Sequence, residues 1–173
     1  AGLYSRLYML INTVTLLGLV LLLVWGFSQD WLTWAKLVKQ FLTGIIAGSI
    51  LIIPVHELFH GLAYRMLGAR KIRFGADLQQ LIFFVTADRF PITGGELYYL
   101  ALLPFVAINL ITIAIVVLWF PQLIILFGFF LLAHNLMCIG DFAMVNYTRS
   151  EKGELYSFDE IDKKKSYFYK KID

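Results

Sequence analysis

The run His56-Glu57-Leu58-Phe59-His60 places two imidazoles and a carboxylate within about one helical turn. Residues four apart share a helix face, so His56 and His60 can hold one metal ion together. Glu57 projects close to that face, where a carboxylate can take a proton from water activated by the metal. Zn2+ is the ion this pattern suits. Hydrolysis is the chemistry, with Glu57 as general base. The three residues lie in an apolar run from Phe41 to about Leu67. Ionisable groups at such depth are costly, and they usually face a bundle interior where they serve a function.

The chain that must position them is 60% hydrophobic and 16% charged over 173 residues. Soluble domains run nearer 45–50% apolar and about 25% charged, so this is the composition of a membrane protein. The expected fold class is an all-α membrane protein of about four transmembrane helices, near residues 7–27, 41–67, 96–120 and 123–147. Each apolar run is long enough to cross a hydrocarbon core of ~30 Å. Residues 1–147 then form a single membrane domain and residues 148–173 a polar tail. Ser28 to Gln40 reads as a short connection or surface helix. Between the second and third spans, Gly68 to Thr93 has a different character. Basic residues open it, Gly75 interrupts it, and Leu81 to Thr86 is rich in strand formers. Two short surface strands, a β-hairpin across about 70–90, are expected there. Pro54 should kink the second span just before the motif. Pro104 and Asn109 read as kink and packing features of the third.

A catalytic zinc takes three protein ligands and leaves one position for water. The candidates for the third are Asp141, His134, Glu96 and Asp88. Asp141 and His134 lie seven residues apart, roughly 10 Å along a continuous helix. Both can bind only if the helix unwinds between them, which Gly140 would permit. Asp141 is preferred, because a buried carboxylate needs a cation. His134 then lies deeper, packing or supporting the ligands. Asn135 or Asn109 could reach the substrate backbone or its oxyanion. Cys138 reads as a small buried hydrophobe.

The motif His56-Glu57-Leu58-Phe59-His60, followed in a later span by Asn135 and Gly140-Asp141, resembles the site-2 protease type of intramembrane metalloprotease. It is similar still to a group of small bacterial membrane proteins known as putative zincin peptidases, which share the H-E-L-x-H-G start and a late Gly-Asp. The resemblance implies zinc held by His56, His60 and Asp141, and hydrolysis of peptide bonds in membrane-embedded or membrane-proximal proteins. In this chain Gly140 precedes the aspartate and Phe142 follows it.

The expected partners are a membrane protein or peptide substrate and the lipid bilayer, with a second copy of the chain as an open option. An exposed strand beside the motif would hold an extended peptide by strand addition. The tail lysines among aromatic residues suit anionic lipid better than nucleic acid, so no nucleic-acid partner is expected. Arg6, Arg65, Arg70, Lys71, Arg73, Arg89 and Arg149 fall on one side of a four-span arrangement, against Lys36 and Lys39 on the other. The positive-inside rule puts both termini in the cytoplasm of a multi-pass protein in a bacterial cell membrane. The alternative function is a non-proteolytic membrane protein that keeps the zinc site for structure or regulation. A transporter is disfavoured, since four spans without repeats make a poor alternating-access scaffold.

Overall fold

The computed structural model describes residues 2–77, 82–151, 154–160 and 165–170. Helix α1 (Leu3–Ser28) is followed by a long helical stretch built of α2 (Trp34–Ile46), a π turn (Ala47–Leu51) and α3 (Ile53–Met66). Strands β1 (Ile72–Asp77), β2 (Ile82–Ala87) and β3 (Ile92–Thr93) lead into α4 (Gly94–Leu118). A 3-10 turn (Pro121–Leu123), α5 (Ile124–Met137) and α6 (Ile139–Ser150) precede β4 (Leu155–Glu160) and β5 (Lys165–Lys170). Three helical stretches, Leu3–Ser28, Trp34–Met66 and Gly94–Leu118, are long and apolar enough to cross a membrane. α5 and α6 make a fourth if their 42° bend is counted within one span. Leu10, Val14, Leu17, Leu21 and Val24 stand exposed along α1, a surface that suits lipid rather than water.

Two expectations about these helices are corrected. The second apolar stretch begins at Trp34 rather than Phe41, because Thr33 caps it by accepting from the Lys36 backbone N–H. The fourth is not one continuous helix. It breaks at Cys138, two residues before the glycine expected to permit unwinding. Tyr8 of α1 donates its hydroxyl to the Leu136 carbonyl beside the break, at 3.1 Å. That bond satisfies a carbonyl at the end of α5 that the interrupted ladder leaves over.

The π turn sits one turn ahead of the histidine motif. The Ile52 N–H reaches back five residues to the Ala47 carbonyl, at 3.0 Å. Pro54 lacks an N–H, so it occupies the first turn of α3, where none is needed. The turn packs closely on α5. A Cβ at Gly48 would lie 2.8 Å from the Phe130 Cα, and one at Gly44 would lie 2.9 Å from the Phe129 Cβ. Small residues thus bring α5 against the motif-bearing stretch. Gly48→Leu is expected to cost about 1–3 kcal/mol of stability by overpacking. The check is thermal unfolding in detergent, with Gly18→Leu, at a position with open space around it, expected to leave the midpoint in place.

The hairpin expected across about 70–90 is present, with β1 and β2 antiparallel and Phe74 opposite Val85. The sequence reading gives no strands after Thr148, but β4 and β5 form a second hairpin there, and β4 also pairs with β3. Among the described residues, the two sheets meet at a bridge between Asp88 and Asp159. Ala63, Tyr64, Val85, Ala87, Ile92, Leu97 and Leu100 form one buried cluster that joins α3, both sheets and α4.

Candidate metal centre

α3 presents His56 and His60 on one face, and their Nε2 atoms lie 3.1 Å apart. Each ring is fixed through its other nitrogen. His60 Nδ1 lies 3.0 Å from the Leu100 carbonyl oxygen on α4, which can only accept. Nδ1 of His60 is therefore the protonated nitrogen, and Nε2 carries a lone pair. His56 Nδ1 lies 3.2 Å from Nε2 of His134 on α5. Either nitrogen of that pair can donate, according to the tautomers; where Nδ1 donates, His56 Nε2 is an acceptor. Asp141, the first acidic residue of α6, completes the group. Its Oδ2 lies 3.3 Å from His56 Nε2 and its Oδ1 3.5 Å from His60 Nε2.

Two ring nitrogens and a carboxylate thus converge in a largely buried site, a donor set that suits a cation. Zinc fits by size. Nitrogen and oxygen ligands at about 2.0–2.2 Å in tetrahedral order stand roughly 3.3–3.5 Å from one another. The two Nε2 atoms stand 3.1 Å apart, near that spacing, and Asp141 offers a different oxygen to each ring, Oδ2 at 3.3 Å from His56 and Oδ1 at 3.5 Å from His60.

The structure brings His134 to His56 as well. His134 meets the ring on the Nδ1 side, away from the Nε2 atoms that face Asp141. Cys138 Sγ lies 3.7 Å from His134 Nε2 and 4.0 Å from His56 Nδ1, so the thiol belongs to this second cluster. Glu57, His56 and His60 each place a ligand atom within 4.8 Å of the others. Val85 on β2 lies beside the Glu57 carboxylate.

The other residues singled out from the sequence are placed elsewhere. Glu96 accepts from the Thr93 backbone N–H at 2.7 Å and closes a capping box at the start of α4. Asp88 lies at the bridge between the sheets. Asn109 donates to the Asn135 side-chain oxygen at 2.7 Å, and Asn135 is fully buried. Neither asparagine lines the cleft.

That cleft has a volume of about 560 Å³ and opens beside His56, Glu57, His60 and Asp141. β2 forms one wall through Phe83, Phe84 and Val85, and the tail hairpin forms another through Ser157, Asp159, Ser166 and Phe168. Asp159 ties the walls together. Its carboxylate accepts from Thr86 on β2 at 2.6 Å, from Tyr64 on α3 at 3.3 Å and from Ser166 on β5 at 2.6 Å. Arg89, after β2, pairs with Glu160 at 2.6 Å. Sequence reasoning missed this wall. The signal was the run of aromatic and alternating residues in Leu155–Glu160 and Lys165–Lys170, which suits strands.

A family model described as "Putative zincin peptidase" matches residues 49–156, from within the π turn to the second residue of β4. No curated protein matches the chain, and no solved structure does.

Proposed function

Because the chain belongs to the "Putative zincin peptidase" family, we propose that it is a zinc-dependent intramembrane endopeptidase acting on membrane-embedded or membrane-proximal protein segments. The observation that carries this reading is the convergence of two Nε2 atoms and the Asp141 carboxylate beside Glu57, at the floor of an apolar cleft. His56, His60 and Asp141 would hold the zinc. When bound there, zinc supplies a Lewis acid that acidifies water and polarises a carbonyl.

The remaining work falls to the chain's own groups. Glu57 takes a proton from water as that water attacks the peptide carbonyl. It then returns the proton to the departing amine. His134 and the Leu100 carbonyl hold the two imidazoles by their Nδ1 atoms, which sets the tautomer and the ring angle. A helical peptide bond is shielded by its own turn, so the substrate must be extended where it is cut. Among the described strands, β2 pairs only with β1, and its Val85 lines the cleft. An extended segment can add along this edge, with its side chains against Phe83, Phe84, Met144 and Phe168. Large apolar side chains suit those walls.

The same reading places both termini and the β1–β2 hairpin in the cytoplasm. Arg65, Arg70, Lys71 and Arg73 lie at that end. The Tyr4 backbone N–H donates to Asn146 of α6 at 3.1 Å, which supports the two termini sharing a side. Removing metal with a chelator is expected to abolish cleavage of an apolar model peptide by the purified protein. Zn2+ should restore it and Mg2+ should not, since this N and O ligand set suits zinc over magnesium. Cleavage that survives chelation with no metal left on the protein would rule the reading out.

A further inference from the structure

Pro104 stands inside α4, where proline is the poorest helix former, and its side chain is fully buried. Two consequences follow from its chemistry. Proline has no N–H, so the carbonyl four residues earlier loses its partner in the helical ladder. The ring also crowds that carbonyl and pushes it outward. Four residues before Pro104 is Leu100. Its carbonyl oxygen is the one that meets His60 Nδ1 at 3.0 Å.

We propose that Pro104 is a positioning residue for the metal centre: it frees the Leu100 carbonyl from α4 so that this carbonyl can fix the tautomer and ring angle of His60. Freed backbone groups within an apolar bundle are taken up by a neighbouring helix, and here the partner is the imidazole of a ligand on α3. His60 is itself buried, and water is a poor substitute at that position. The bond does for His60 what His134 does for His56, but it draws on backbone rather than on a side chain. The inference rests on His60 being a zinc ligand.

The test is zinc affinity by chelator competition on the purified full chain, alongside thermal unfolding of its metal-free form. In Pro104→Ala the new N–H at position 104 competes for the Leu100 carbonyl. Zinc affinity is expected to fall about tenfold, the low end for losing a group that supports a ligand. The metal-free protein is expected to unfold at the same temperature or higher, because alanine favours the helix. Packing damage alone would lower both quantities together. A second variant guards against that outcome: lactic acid in place of Ala101 turns the Leu100 carbonyl into an ester, a weaker acceptor, and leaves Pro104 in place. It should also weaken zinc binding about tenfold. In 15N-histidine spectra the protonated Nδ1 of His60 should lose its hydrogen-bonded shift in both variants. Unchanged zinc affinity in either variant, with wild type binding zinc, overturns the inference and leaves the peptidase reading standing. A wild type that binds no zinc overturns both.

Discussion

Glu57→Gln is expected to lower peptide cleavage by about a thousandfold while leaving zinc on the protein, within the range that general acid–base catalysis contributes. Glutamine keeps the length and planarity of the side chain, so the wall of the cleft should hold its shape. What it loses is the capacity to take a proton. His56, His60 and Asp141 are untouched by the substitution. Single-turnover cleavage and metal content, measured on the same preparation, separate the two effects. Equal cleavage by wild type and variant would end the proposed role of Glu57. Zinc lost together with activity would instead move Glu57 from proton transfer to metal binding.

The second large effect is expected at the third ligand. Four ligands hold a structural zinc with about 10–16 kcal/mol, so one is worth roughly 3 kcal/mol, or more than a hundredfold in affinity. Asp141→Ala should lose that much. His134→Ala should lose about tenfold, because it removes only the group that holds His56 by its far nitrogen. The distinction lies in the imidazole itself. Its two nitrogens point to different sides of the ring, so a residue at Nδ1 cannot share the ion held at Nε2. Chelator competition on the two variants gives the order directly. The reverse order would exchange the roles of Asp141 and His134.

Much of the centre was legible because side-chain spacing encodes it. His56 and His60 share a face in any helix, and a carboxylate at Asp141 inside an apolar stretch demands an explanation wherever the helix runs. The hairpin of β1 and β2 announced itself through its strand formers. Other features depend on tertiary contacts that leave weaker marks. Nothing at Cys138 signals a break, since it is neither glycine nor proline, and the bond from Tyr8 comes from 128 residues away. Without the break, the distance along the helix separates His134 from Asp141. With it, the two flank one imidazole. Glu96 is a different case. Thr93-Gly94-Gly95-Glu96 carries the spacing of a capping box, a local signal sufficient to remove Glu96 from the ligand candidates.

The tail hairpin carries a consequence for how this chain divides its labour. Every residue proposed to handle zinc or protons lies between positions 49 and 156, within the stretch the family model matches. Asp159, Ser166 and Phe168 lie beyond it, yet they face the same cleft. The cleft is thus shared between the stretch that carries the proposed chemistry and a hairpin that extends past it, and the Asp159 carboxylate, accepting from Thr86 and Tyr64, is one of the ties between them. A different hairpin that kept Asp159 and the pairing with β3 would change one wall of the cleft, and with it which side chains the cleft admits.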